Sequence, residues 1–230
     1  MRLLAAAALC LVLRPAAAAA QTSERVWADG TIDWLATERT TYELIVEGRT
    51  APATLNVTPH AEYAVAPWID VLGEAELSRE SGATATVTPR AGAQFHILSR
   101  LLATHVRRGA DREKLPRRRL VVSTLLRFEH TGSMWQLRDR FDMTYPLNRH
   151  KVSDDGAVYV TADNELFIPL DRAPGAALVN QMRARAGFGY RQSFRWRFEM
   201  LYVWNGTRHA ETAPWLTKSH VLDIRVKREF

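Results

Sequence analysis

Between Gln181 and Trp204 the sequence alternates with a period of two, and the two faces it makes are chemically opposed. Met182, Ala184, Ala186, Phe188 and Tyr190 fall on one face. Gln181, Arg183, Arg185, Gly187, Gly189 and Arg191 fall on the other. After a short polar turn, Arg191-Gln192-Ser193, the alternation resumes. Phe194, Trp196, Phe198, Met200, Tyr202 and Trp204 then oppose Arg195, Arg197 and Glu199. Successive side chains of a strand point to opposite sides, so this pattern predicts a β-hairpin spanning 179–204. A stripe of large aromatics backed by arginine suits two architectures. In a soluble sandwich the aromatic face would meet a core. In a membrane barrel it would meet lipid, and the arginines would line the lumen.

The beginning of the sequence favours export. Met1-Arg2 is followed by an apolar run from Leu3 to Leu13 and the small-residue tail Ala16 to Ala20. A positive start, a short apolar stretch and an Ala-x-Ala site predict a secretory signal peptide, residues 1–20, with the remaining domain at 21–230. The apolar run is too short to span a bilayer, which takes about 20 apolar residues. The single cysteine, Cys10, lies inside this signal. The mature chain is therefore expected to hold no disulfide, thiolate metal site or cysteine nucleophile. Loss of Arg2 and Arg14 takes the net charge from +6 to +4. The basic residues are interspersed with acids, which gives no case for nucleic acid.

Alternating segments separated by turn signals continue through the mature region. Strands are predicted at 26–35, 41–48, 55–65, 69–77, 84–95, 120–129, 135–145, 157–168 and 217–230, besides the two of the hairpin. Pro59 and Pro89 fall inside two of them and predict irregular pairing there. The stretch 96–108 fits neither helical nor strand period, and 109–119 is charged and contains Pro116, as a loop would. Asp139 sits on the otherwise apolar face of its segment. The expected fold is all-β: a transmembrane antiparallel β-barrel in the bacterial outer membrane. Single-chain bacterial barrels carry an even number of strands, which sets the expectation at twelve, with ten as the alternative. The last segment ends on Phe230. Outer-membrane strands commonly finish on an aromatic read by the barrel-assembly machinery, so Phe230 is assigned as an assembly signal.

Several runs carry a resemblance. They are Trp27, Leu126-Arg127-Phe128-Glu129, Trp135-Gln-Leu-Arg-Asp-Arg140, Tyr145-Pro146-Leu147, and Gln181-Met-Arg183 with Gly187-Phe-Gly189-Tyr190. Together they resemble an uncharacterised family of bacterial outer-membrane barrels catalogued as a domain of unknown function. The resemblance covers the mature chain and implies the barrel fold. It implies no reaction, ligand or catalytic residue.

The residues expected to line the lumen are Arg127, Glu129, Arg138, Arg140, Asp142, Glu165, Arg183, Arg185, Arg195, Arg197, Glu199 and Arg225, joined by Glu62, Arg90 and Lys227. Rings of Arg and Lys select anions in pores. Arginines and carboxylates pairing across strands would instead fill the barrel. The expected function is thus a narrow pore or small-solute channel with an Arg-rich lumen. The alternatives are a plugged barrel with a structural or envelope role, an outer-membrane lipid-modifying enzyme, or a soluble lipocalin-like barrel. Ser123 and Ser219-His220 come nearest to a hydrolase arrangement, but no hydrolase motif surrounds them, and adjacent strand residues face opposite ways. No catalytic residue, metal site or cofactor is predicted. The expected partners are outer-membrane lipid and the assembly machinery.

Overall fold

The period-two patterning is realised as one closed sheet. The computed structural model describes residues 23–50, 52–97, 120–132 and 134–230. They form eleven strands: β1 (Ser23–Leu35), β2 (Thr40–Thr50), β3 (Ala53–Ala66), β4 (Ile69–Glu80), β5 (Thr86–His96), β6 (Val121–Thr131), β7 (Met134–Pro146), β8 (Ala157–Pro169), β9 (Gln181–Arg191), β10 (Trp196–Thr207) and β11 (Leu216–Glu229). Each strand pairs antiparallel with its sequence neighbour. β1 closes the ring against β11.

The closure corrects the expected count of twelve or ten. β1 and β11 run parallel, from Ser23 opposite Ser219 to Asp33 opposite Glu229. The even count assumed that the first and last strands run in opposite directions. A parallel seam removes that condition, because parallel ladders also satisfy every backbone group. The Phe230 N–H extends this seam by donating to the Asp33 carbonyl at 3.0 Å. The stretches 98–108 and 109–119, together with the signal at 1–20, lie outside the described residues. His96 ends β5.

The two prolines act where a ladder bond would need their missing N–H. Pairing of β3 with β4 skips Thr58 and Pro59 and then resumes in the same register at His60 opposite Glu74. β5 pairs with β6 only from Arg90 onward, so Pro89 marks the end of that ladder. Two further irregularities fall at Ala64/Ala66 and Asn205/Gly206.

The register puts the apolar stripe of every strand outward. Phe198, Met200, Tyr202, Phe188, Tyr190, Phe141 and Met143 are all exposed on the outer wall. Aromatics gather at the two rims. One rim holds Trp135, Phe128 and Trp204. The other holds Trp34, tilted against Tyr42 at 5.8 Å, with Tyr63, Trp68, Tyr145 and Tyr190. The buried apolar cluster is small and lies inside the barrel: Trp27, Val203 and Val221. Most of the interior is polar.

Two glycines of β9 make room for this interior. Tyr159 on β8 lies across Gly189, where a Cβ would stand 2.0 Å from the ring. The ring is buried, and its hydroxyl donates to Glu199 Oε1 at 2.7 Å. At Gly187 a Cβ would stand 2.1 Å from the Met200 carbonyl. Gly189→Ala is therefore expected to cost about 1–3 kcal/mol through overpacking. Gly73→Ala, which meets nothing within 4 Å, should stay within roughly 0.5 kcal/mol of the parent. Chemical unfolding followed by tryptophan fluorescence compares the two, and equal effects would remove the assigned role of Tyr159.

Candidate functional site

The inward positions of the strands build one polar interior. Alternation sends Arg127 and Glu129 inward from β6, Arg138, Arg140 and Asp142 from β7, and Asp163 and Glu165 from β8. Arg183 and Arg185 enter from β9, Arg197 and Glu199 from β10, and Arg225 and Lys227 from β11. All of these line a cavity of about 850 Å³. Arg195 is a correction to the expected set. β10 begins only at Trp196, so Arg195 sits in the β9–β10 turn, exposed, with its guanidinium 5.2 Å from the Phe194 ring centre. Its carbonyl still accepts from the Glu229 N–H of β11 at 2.9 Å, but its side chain is not among those that line the cavity.

At the heart of the interior is a closed circuit of six alternating charges. Arg127 Nη1 donates to Glu74 Oε1 at 2.8 Å and its Nη2 to Glu165 Oε1 at 2.9 Å. Arg138 Nη2 donates to the same Glu165 oxygen at 2.6 Å, and its Nη1 to Glu129 Oε2 at 2.9 Å. Arg90 Nε donates to Glu129 Oε2 at 2.9 Å, and its Nη1 lies 3.5 Å from Glu74 Oε1, which closes the circuit. Glu165 is fully buried. Its second oxygen faces Arg183 Nη1 at 3.3 Å and Arg185 Nη2 at 3.5 Å. One carboxylate thus receives four guanidiniums from β6, β7 and β9.

The arginine side reaches over the lumen. Arg183 also donates to Asn205 Oδ1 at 3.1 Å, and its guanidinium lies 5.1 Å from the ring centre of Trp27 on β1. Arg49 on β2 covers the same ring at 4.6 Å. Arg185 Nε donates to both oxygens of Asp163, which also faces Arg140 Nη2 at 3.3 Å. Nearer the other rim, Arg225 pairs with Asp223 at 2.6 Å and Asp29 at 3.3 Å. Lys227 pairs with Asp33 at 2.7 Å and Glu43 at 3.1 Å. Arg197 lies 3.5 Å from Glu199.

The partners that sequence reasoning missed come from the first four strands. Asp29, Asp33, Glu43 and Glu47 point inward from β1 and β2, and Asp70, Glu74 and Glu76 from β4, beside Glu62 of β3, which was expected there. This acidic wall faces the arginine wall, and on the described inward face acids outnumber Arg and Lys. The signal for it was the same alternation, present in 41–48 and 69–77. What was missing was which strands the arginines would reach.

The nucleophile candidates do not assemble. Ser219 is buried inward and accepts from Asn205 Nδ2 at 2.9 Å, while His220 faces outward beside Tyr202. Ser123 donates to Asp142 Oδ1 at 2.8 Å, and Gln94 donates to Ser123 at 3.2 Å. His96 stands opposite Ser123 in the ladder and donates from Nε2 to Asp70 Oδ2 at 2.6 Å. Among the described residues no group of three or more His, Cys, Asp or Glu side chains could hold a metal ion.

A family model described as a protein of unknown function, DUF2490, matches residues 91–214. The chain belongs to this family. The matched stretch includes β6 to β10 whole, and with them Glu129, Arg138, Glu165, Arg183 and Arg185. Glu74 and Arg90 of the ionic circuit precede it, and Arg225 and Lys227 follow it. No curated protein matches the chain.

Removing one partner from a buried ion pair strands the others. Glu165→Gln should therefore destabilise the barrel by about 3–5 kcal/mol. Glu47→Gln, which loosens a pair with Arg49 near the rim, should cost no more than about 1 kcal/mol. Urea midpoints of the refolded variants measure both, and a neutral Glu165→Gln would show that the convergence of arginines on Glu165 adds nothing to stability.

Proposed function

We propose that the protein is an outer-membrane β-barrel whose lumen is held shut by its own ion pairs, a structural barrel and not an open pore. The convergence of Arg127, Arg138, Arg183 and Arg185 on the buried Glu165 carries this reading. Four guanidiniums left without that carboxylate would repel one another and favour anion entry. With it, and with Glu74, Glu129 and Asp163 beside it, they are neutralised, and Arg183 lies between Glu165 and Trp27 on facing parts of the wall.

Membrane embedding is supported by the outer wall. Apart from a spot around Asp139, its central band is apolar, and aromatics mark both rims, as in barrels that span lipid. On β7, Trp135 and Tyr145 stand ten residues apart. At about 3.3 Å per residue and a tilt near 40°, their separation in height is about 25 Å, the height of a lipid-facing band. A water-soluble barrel would expose this whole surface at a large cost. Arg228, which departs from the apolar pattern of β11, lies with its guanidinium 5.1 Å from the Trp196 ring centre and 4.4 Å from that of Phe230. There it covers two belt aromatics with its stem and keeps its charge at the interface. We assign Phe230, at the foot of the β1–β11 seam, as the residue read by the assembly machinery.

The narrow-pore reading keeps one observation in its favour, since the cavity is lined from Thr86 at one rim to Ser153 at the other. The acidic excess of the inner face would make such a pore prefer cations, which reverses the preference expected from the arginines alone. Two measurements test the proposal. The mature protein should fractionate with outer membranes and resist carbonate extraction. In planar bilayers it should give negligible conductance, while a Glu165→Ala/Arg183→Ala double variant should conduct with cation preference, strongest at low salt. Steady conductance from the unsubstituted protein would overturn the closed-barrel reading.

A further inference from the structure

The outer wall carries one polar spot at mid-height. Asp139 of β7 points outward about midway between the belt residues Trp135 and Tyr145. Beside it stand Thr124 of β6 and Asn164 of β8, both opposite Phe141 in the ladder. Thr124 Oγ1 donates to Asp139 Oδ1 at 2.8 Å, and Oδ2 accepts nothing among the described residues. Asn164 is exposed, and its amide makes no hydrogen bond among the described residues. The other outward polar side chains, such as Arg79, Lys218, His220 and Arg228, lie towards the rims.

From this patch we infer that the barrel forms a two-fold dimer through β7 and β8, with Asp139 of each copy accepting a hydrogen bond from Asn164 of the other. The inference rests on the outer-membrane reading above. A carboxylate and a carboxamide facing hydrocarbon have no partner in lipid, and polar groups at this depth face protein or water. The occupant that fits is a second copy, because the patch holds an acceptor and a donor side by side. An isologous contact needs a surface complementary to itself. Two copies inserted in the same sense are related by an axis along the membrane normal, so equal depths meet. Each Asp139 then finds Asn164 of the neighbour across Phe141, whose exposed ring supplies the apolar contact at the axis. Thr124 holds one oxygen of Asp139 and leaves the other for the partner.

Single-cysteine chains test this cleanly, since the only native cysteine, Cys10, lies in the predicted signal. Phe141→Cys, oxidised with copper phenanthroline in isolated membranes, should give a disulfide-linked species of twice the monomer mass. Met200→Cys, outward and exposed on β10, is the control and should stay monomeric. Adding Asn164→Leu to Phe141→Cys should cut the dimer at least tenfold, while heat-modifiable gel mobility shows that the barrel is still folded. Membrane-bound Phe141→Cys protein that gives no cross-link, or that cross-links no more than the Met200→Cys control, would overturn the dimer and leave the outer-membrane reading standing. An adduct of another mass would assign the patch to a different partner and also overturn it. Recovery in the soluble fraction would overturn both.

Discussion

A carboxylate buried inside a protein is costly unless charge and hydrogen bonds meet it from several sides. Glu165 is such a group, and the interior is arranged to meet it. Two oxygens receive Arg127 and Arg138 on one side and Arg183 and Arg185 on the other. The same arginines are partners of Glu74, Glu129 and Asp163, so the interaction spreads from β4 to β9. A barrel whose hydrocarbon side chains face outward has little apolar core to hold it. Among the described residues its inner cluster is Trp27, Val203 and Val221. Backbone ladders close the ring, and the ionic circuit fixes what the ring encloses.

This arrangement explains why arginine is used so heavily. The guanidinium is a planar fork that donates in several directions at once. Arg127 and Arg138 each bridge two carboxylates, and Arg90 reaches three, on Glu74, Glu76 and Glu129. Lysine, a point charge on a flexible stem, appears in the described network as Lys227, between Asp33 and Glu43 near a rim. Small residues serve the same end. Gly187 and Gly189 bring β9 close to its neighbours, and Gly189 admits the Tyr159 ring that ties β8 to Glu199.

The segregation of charge also bears on function. Basic residues crowd β5 to β11, and the acids of β1 to β4 balance them. A channel selective for anions would leave some of the arginines free. Here the arginines of the central circuit all engage carboxylates. These ion pairs are what the proposed closed lumen rests on, and the polar spot around Asp139 is what the proposed dimer rests on.

The sequence by itself determined the strands and their sidedness. Alternation is local: each residue's face follows from its neighbours two positions away. For this reason β9 and β10, the outward aromatics, the inward arginines and the exception at Asp139 were all legible, as was membership in an uncharacterised barrel family. Only the tertiary structure decided what depends on closure. The eleven alternating segments were legible too, and only the even-number rule moved the expectation to twelve; the parallel β1–β11 seam, which lifts that rule, comes from which edges meet, and no local pattern records that. The same holds for the circuit. Glu74 and Arg127 are 53 positions apart and touch at 2.8 Å, and Arg183 meets Trp27 only because the sheet curls back on itself. Arg195 shows the limit from the other side. Its alternation was intact and its carbonyl still accepts from the Glu229 N–H of β11, but pairing with β9 ended at Arg197, and the turn leaves its side chain exposed. Periodicity fixes direction within a strand, and closure of the sheet fixes which charges share a space.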